Sequence, residues 1–417
     1  MKLNYKRTVL VGLAFMSISS FWQLYNYIIP LILKNTFGVT DAVSGYVMAA
    51  DNILAVFLLP LFGALSDRVH TPFGRRKPFI IVGSFLAAGL MFLIPLADAQ
   101  KNLTLFVVAL AVLLIVLSSY RSPAVALMPD VTPKPLRSKG NAVINLMGAL
   151  GGIITHLVIS FFAQSYTTIF SIVAGFMVTC AIILMFGVHE NKLVAEMPPE
   201  PEDTQKEAGG KMPKEVRKSL IFILLSVFLW FMAYNAVETA YSRYVQDVWG
   251  RSESVGSTMM IIAMLVATAS YLPVGQLSAK IGRKKVILGG VALMACAFFA
   301  GFLLPGYSIA AYLIMGAIGI GWASINVNSY PMVVEMSKGS DVGKYTGLYY
   351  TFSMSAQILT PILSGYLFTY LPFGYRVLFP YALIFSALAF ITMTFVRHGD
   401  NRPDLPQSAL ELFGEED

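Results

Sequence analysis

Long apolar runs broken by short polar or charged turns recur along the whole chain. Crossing about 30 Å of hydrocarbon takes roughly 20 helical residues at 1.5 Å each. Runs of that length occupy 8–33, 43–65, 79–97, 103–128, 141–163, 168–188, 219–245, 255–278, 286–304, 308–333, 345–369 and 377–396, which predicts an all-α membrane protein with twelve transmembrane helices. Polar or helix-breaking turns separate adjoining runs at Gln164-Ser165-Tyr166-Thr167-Thr168, Pro305-Gly306 and Leu371-Pro372-Phe373-Gly374. The first run is uncharged from Thr8 to Leu33, long enough to span, so it reads as an uncleaved first helix rather than a signal peptide.

The longest polar stretch, 189–218, mixes Pro, Gly and both charge signs without apolar periodicity. It is expected to be a mobile cytoplasmic linker between two six-helix halves, 1–188 and 219–396, with a cytoplasmic tail at 397–417. Basic clusters such as Lys2/Lys6/Arg7, Arg68/Arg75/Arg76/Lys77, Lys134/Arg137/Lys139 and Lys280/Arg283/Lys284/Lys285 fall on the linker's side of this topology. The opposite loops hold only Lys34, Lys101, Arg251 and Arg376. An excess of Lys and Arg marks cytoplasmic loops, so both termini are expected in the cytoplasm and the protein in the cytoplasmic membrane.

Composition agrees with the pattern. The 417 residues are 56% hydrophobic and 13% charged, with a mean hydropathy of +0.68, whereas soluble proteins are about a quarter charged. The net charge of +7 sits in short loop clusters, with no groove-reading element, so nucleic acid is not an expected partner. Cys180 and Cys296 lie inside apolar runs, which suits small core residues better than a disulfide or a metal site. No G-x-x-x-x-G-K-[ST] loop occurs, so neither ATP-driven pumping nor any other enzymatic activity is expected, and no cofactor beyond a coupling ion.

One loop is repeated. "PLFGALSDRVHTPFGRRKPF" at 60–79 has a weaker echo in "PVGQLSAKIGRKKV" at 273–286, pairing Gly63 with Gly275, Ser66 with Ser278, Arg68 with Lys280, and Gly74-Arg75-Arg76 with Gly282-Arg283-Lys284. Repetition at equivalent places in two halves is the trace of a duplicated transporter. Physically the loop suits a latch: Asp67 can pair with Arg68, Arg75 or Arg76, and Gly63 and Gly74 permit close approach and tight turning. Asp130 and Glu335, at the ends of the fourth and tenth spans, are candidate partners. Ala279 replaces the acid in the second copy. A solvated, topology-setting loop is the blander reading.

These residues resemble the cytoplasmic signature loop of the major facilitator superfamily. "GALSDRVHTPFGRRKPFI", "YRSPAVALMPD" followed by "RSKGNAVINLMGALGGI", and "WFMAYNAVETAYSRY" together resemble the sucrose-transporter-like branch of the glycoside–pentoside–hexuronide:cation symporters, especially its bacterial members. The resemblance implies two pseudo-symmetric six-helix halves, alternating access, and a central cavity lined mainly by the first, fourth, seventh and tenth spans.

Independently, those four spans concentrate the chain's amides and tryptophans: Trp22, Gln23 and Asn26; Tyr120 and Arg121; Trp230, Tyr234, Asn235 and Glu238; Trp322, Asn326 and Asn328. Sugar recognition needs such groups for hydroxyls and aromatic faces for the C–H patches of a pyranose. Candidate substrate contacts are Gln23, Asn26, Tyr120, Arg121, Trp230, Asn235, Trp322 and Asn326. Amides can instead join helices, and aromatics can mark the membrane interface. Ionisable groups inside the spans are Asp51, Arg121, Glu238 and Arg243. Asp51 lies roughly 18 Å above Gly63, near the midplane, where so short a side chain cannot snorkel. Asp51 and Glu238 are the candidate cation-coupling groups, unranked, and Arg243 reads as interfacial. The resemblance carries a sugar-binding role onto Arg121. Plant sucrose transporters have an Asp eleven residues before that Arg, where this chain has Leu110, so coupling must come from another helix.

The expectation is a monomeric, proton-coupled symporter, with Na+ as a possible ion, for a di- or oligosaccharide or glycoside. A proton-driven antiporter exporting amphipathic compounds is the alternative. A non-transporting membrane sensor is a third class.

Overall fold

A computed structural model describes residues 3–133, 136–195, 213–336 and 342–400. Its long helices are α1 (Tyr5–Asn35), α2 (Asp41–Arg68), α3 (Lys77–Ala99), α4 (Leu103–Asp130), α5 (Arg137–Phe162), α6 (Tyr166–Gly187), α7 (Lys214–Trp249), α8 (Glu253–Ile281), α9 (Arg283–Leu303), α10 (Ala310–Glu335), α11 (Val342–Tyr370) and α12 (Leu378–Thr394). Among the described residues, eleven helices are long and apolar enough to cross a membrane. The remaining long helix, α11, dilutes its apolar residues with Thr, Tyr, Ser and Gln; it packs against α2 and α7 on one side and leaves Leu359, Leu363 and Tyr366 exposed on the other. The chain is an all-α, multi-pass membrane protein.

Local chemistry sets the helix ends. Asn4, Asn102 and Ser165 accept from the backbone N–H of Arg7 (3.1 Å), Leu105 (3.0 Å) and Thr168 (3.2 Å), satisfying donors that the first turn leaves open. α3 breaks at Phe92, where Pro95 cannot supply the amide hydrogen that the Met91 carbonyl would accept.

Helices α1–α6 and α7–α12 form the two halves, which meet where α1 packs on α7, α2 on α11, and α5 on α8. Both described termini lie at one end: Arg7 at the start of α1 donates to the Val131 carbonyl after α4 (3.0 Å), and His398 meets Ser219 (2.8 Å). At the far end α2 and α11 touch backbone to backbone. A β-carbon on Gly45 would lie 2.2 Å from the Pro361 carbonyl oxygen, and one on Gly365 2.3 Å from that of Asp41.

Three sequence readings shift. Residues Glu190–Ala195, assigned to the linker, form a short helix with Glu190 buried; linker residues 196–212 and tail residues 401–417 lie outside the described residues. Cys180 is buried but Cys296 is exposed, so only one cysteine belongs to the core. Arg243 is not interfacial: it is 5% exposed and bound across the halves.

Candidate functional site

A cavity opens between the halves in two lobes. The first, about 250 Å³, is lined from the first half by Trp22, Gln23, Asn26, Asp51, Asn52 and Arg121. The second, about 290 Å³, is walled by Phe231, Tyr234, Met264, Thr268, Tyr271 and Trp322. Gln23, Asn235, Glu238 and Gln357 border both, so a carboxylate surrounded by amides stands at the boundary of the two lobes.

In the first lobe the Arg121 guanidinium lies over the Trp22 ring at 5.1 Å, where the ring's negative face attracts it. Arg121 also acts electrostatically on Asp51, whose carboxylate accepts from Asn52 Nδ2 at 3.0 and 3.1 Å. Neither charge is left alone in the membrane interior. At this boundary, Glu238 on α7 accepts from Gln23 (3.3 Å) and Asn26 (3.4 Å) on α1. Residues three apart on a helix share a face, so one carboxylate meets both amides. In the second lobe Trp322 stacks flat on Tyr234, 3.8 Å between centroids and 5° between planes, with Phe231 edge-on at 5.2 Å.

Not every candidate faces this space. Gln23, Asn26, Asp51, Arg121, Asn235, Glu238 and Trp322 line it. Tyr120, about 100° around the helix from Arg121, turns to α3 instead, where a β-carbon on Gly83 would lie 2.6 Å from its ring. Trp230 is wholly buried in the core and fills packing volume. Asn326, half-buried one turn beyond Trp322, lines neither lobe. Leu110 is a core residue, 3% exposed.

Three polar groups escaped sequence reasoning. Asn52 adjoins Asp51, and Gln357 is the one amide within its span, so both carried a signal. His156 bonds Gln23 (3.1 Å) and Ser257 (2.9 Å). It was visible as the sole ionisable side chain apart from Cys and Tyr between Lys139 and His189.

The repeated loop closes on itself at the terminal end. Arg76 donates to Asp130 (2.7 Å), Asp67 (2.5 Å) and Ser66, and reaches the Gly63 carbonyl at 3.4 Å; Arg75 pairs with Asp130 at 2.9 Å. Arg68 is exposed at the end of α2. From the short helix after α6, the Glu190 carboxylate accepts from the backbone N–H of Arg75 (2.9 Å), Arg76 (3.0 Å) and Lys77 (3.0 Å), capping α3. Gly74, at φ +116°, makes the turn over it. The second half repeats the arrangement: Arg283 binds Glu335, Asp400 accepts from the Lys284 N–H (2.8 Å), and Gly282 has φ +96°.

The far end is tied across the halves. Arg243 pairs with Asp41 at 2.6 Å, Tyr375 donates to the same carboxylate oxygen, and Lys34 pairs with Asp247. Tyr27 donates to the Glu253 carbonyl and Ser254 to the Ser160 carbonyl, both at 2.7 Å.

Comparison with known proteins agrees with this architecture. The chain is 27% identical over 138 residues to the sucrose transport protein SUC3 of Arabidopsis thaliana, covering 28% of this chain and 23% of that one. It is 33% identical over 138 residues to proton-associated sugar transporter A of Homo sapiens, covering 30% and 18%. It is 28% identical over 158 residues to the chloramphenicol resistance protein CraA of Acinetobacter baumannii, covering 37% and 38%. The matched regions therefore span well under half of these relatives. Among solved structures, the nucleoside transporter NupG (D323A mutant) superposes with a TM-score of 0.70 at 17% identity, covering 94% of this chain and all of that one, which is a likeness of fold. The family model of the Major Facilitator Superfamily matches residues 11–266 and 239–414. With two six-helix halves around a polar cavity and that match along nearly its whole length, the chain belongs to the Major Facilitator Superfamily of membrane transporters and is not an enzyme.

Proposed function

We propose that this transporter is a proton-coupled symporter for a sugar, of di- or oligosaccharide or glycoside size, working by alternating access across the cytoplasmic membrane with both termini in the cytoplasm. The observation that carries the reading is the cavity itself. A guanidinium, two carboxylates and five amides converge on one side, and a stacked Trp–Tyr pair stands on the other. Arg121 offers a planar fork of donors to vicinal hydroxyls, Gln23, Asn26, Asn52, Asn235 and Gln357 offer both donors and acceptors, and Trp322 offers a face to the C–H side of a second ring. Two lobes of about 250 and 290 Å³, both bordered by Glu238, suit two linked rings better than one. The partial likenesses to sugar transporters from plant and human point the same way.

Glu238 sits where a substrate hydroxyl would compete for Gln23 and Asn26, so substrate binding and proton occupancy of that carboxylate act on the same hydrogen bonds. Asp51 stands beside Arg121 and is the other candidate carrier. With the far end tied by Asp41–Arg243 and Lys34–Asp247, the arrangement fits the cytoplasm-facing member of the cycle. Counterflow of labelled sugars in proteoliposomes, with and without pH and Na+ gradients, tests the proposal. Absence of exchange over a broad sugar panel would sink it.

A second reading, proton-driven export of amphipathic compounds, is favoured by the aromatic and Met264 wall of the second lobe and by the likeness to a chloramphenicol resistance protein. Drug tolerance conferred on a pump-deficient strain, without sugar counterflow, would select it.

A further inference from the structure

His156 is fully buried on α5, and the cycle described above gives it no task. Its ring is held on three sides: Nδ1 lies 2.9 Å from Ser257 Oγ on α8, Nε2 lies 3.1 Å from Gln23 Oε1 on α1, and Tyr27 packs edge to face at 5.2 Å. Ser257 Oγ is also 2.7 Å from the His156 carbonyl oxygen, and Gln23 Nε2 reaches Glu238 Oε1 at 3.3 Å. The series Ser257, His156, Gln23, Glu238 therefore begins and ends in the second half and runs through the first.

A neutral imidazole carries one ring proton, and its position fixes the direction of every bond in this series. With Glu238 ionised, the carboxylate accepts from the Gln23 amide N–H, the Gln23 carbonyl accepts from Nε2–H, and Nδ1 accepts from the Ser257 hydroxyl. With Glu238 protonated on Oε1, the oxygen that meets both Gln23 and Asn26, that O–H donates to the Gln23 carbonyl while Oε1 still accepts from Asn26. The amide, turned over, then donates to a bare Nε2, and Nδ1–H donates to Ser257 Oγ, whose hydrogen goes to the His156 carbonyl. Each order satisfies Ser257, the ring and Gln23, and with the proton on Oε1 a mixture of the two sets two donors or two acceptors face to face in the membrane interior. Protons balance: the ring gains one at Nδ1 and gives one up at Nε2, while Glu238 takes one, exchanged with water in the cavity.

We propose that His156 is a positioning residue whose tautomer follows the protonation of Glu238, orienting Gln23 to match and carrying that state to the α5–α8 contact at Ser257. This rests on the reading of Glu238 as a proton carrier. The titratable or charged groups facing the series are Tyr27 on α1, Glu238 and Tyr234 on α7, and Tyr271 on α8 across the second lobe. Glu253 at the start of α8 is turned to the Tyr166 hydroxyl (3.0 Å), and Asp51 and Arg121 stand across the first lobe.

The test needs no substrate. The full chain, labelled with 15N-histidine and placed in lipid nanodiscs, is followed by ring-nitrogen NMR from about pH 5 to 9, bracketing the free imidazole's titration. Loss of one of the four histidine signal sets in His156→Phe makes the assignment. The expected result is a reversal of the His156 tautomer from Nε2–H to Nδ1–H as pH falls, lost in Glu238→Gln. The reversal should also be lost in Gln23→Leu, which cuts the series but keeps Glu238. One tautomer throughout in the wild type, a doubly protonated ring, or a reversal that persists in either variant would overturn the proposal. A tautomer reversal without sugar counterflow would instead remove the substrate assignment and leave this inference standing.

Discussion

Asp41 on α2 and Arg243 on α7 are joined Oδ1 to Nη1 at 2.6 Å across the boundary between the halves, and the Tyr375 hydroxyl donates to the same carboxylate oxygen. Both charges are largely shielded from solvent, so removing one strands the other. Such a break costs about 3–5 kcal/mol in a buried pair. Asp41→Asn should therefore shift the transporter toward opening at the far end. In a chain with Cys180 and Cys296 replaced by Ser, maleimide labelling of Thr369→Cys, which sits beside Ala42 N at 2.9 Å, should rise at least about tenfold. Unchanged labelling would mean that the pair does not hold the gate.

Glu238→Gln keeps the volume and the bonding capacity to Gln23 and Asn26 while removing the exchangeable proton. Counterflow should survive within a few-fold, whereas accumulation driven by a pH gradient should fall to the level of empty liposomes. Asp51→Asn, measured alongside, identifies the carrier: the variant that separates exchange from accumulation holds the proton. If both variants accumulate sugar normally, neither acid couples.

Arg121→Lys preserves charge but replaces a planar fork and its position over Trp22 with a point charge. Loss of a bidentate, charge-assisted contact should weaken sugar affinity by about 10- to 100-fold. Full affinity in this variant would remove the arginine from the site.

Trp322→Leu removes one member of the 3.8 Å stack with Tyr234. Affinity for a two-ring sugar should drop about tenfold, while that for a single ring held in the first lobe stays within twofold. Equal loss for both would mean that the rings bind otherwise.

Gly74→Ala places a β-carbon 2.1 Å from Glu190 Oε2 at a φ of +116°. Strain and the disturbed cap should cost about 1–3 kcal/mol, read as a lower thermal unfolding temperature in detergent. Gly175→Ala, where nothing lies within 4 Å, should be neutral or stabilising by up to about 1 kcal/mol.

Much of the fold was legible because membrane spans announce themselves one run at a time: Thr8–Leu33 needs only its own length to be recognised. Even α11 was found, though its Thr and Tyr content weakens the signal. The site was legible only in part. A charge or amide inside an apolar run has to be satisfied somewhere, which brought Arg121, Asp51, Glu238, Gln23 and Asn26 forward. Which way a side chain points is a matter of about 100° per residue, and that angle sent Tyr120 to α3 while Arg121 faced the cavity. Arg243 misled for a related reason: its place near a helix end suggested the lipid boundary, but its partner Asp41 is 202 residues away in sequence. Glu190 was hidden by the polar company it keeps after α6.

That carboxylate and its counterpart Asp400 each fasten the last helix of a half to a loop of the same half. A clasp of that kind travels with its own bundle. Tilting one bundle against the other leaves Arg76, Asp67, Asp130 and Glu190 in register, so these contacts add stiffness without adding to the barrier between states. Among the described residues, the bonds that do run between the bundles include the Asp41–Arg243 and Lys34–Asp247 pairs at the opposite face, the Tyr27 and Ser254 bonds beside them, and those of Gln23, Asn26 and His156 in the interior, and a change of state has to rearrange these. Changes in turnover should therefore be sought by altering these bonds, and changes in robustness by altering the clasps.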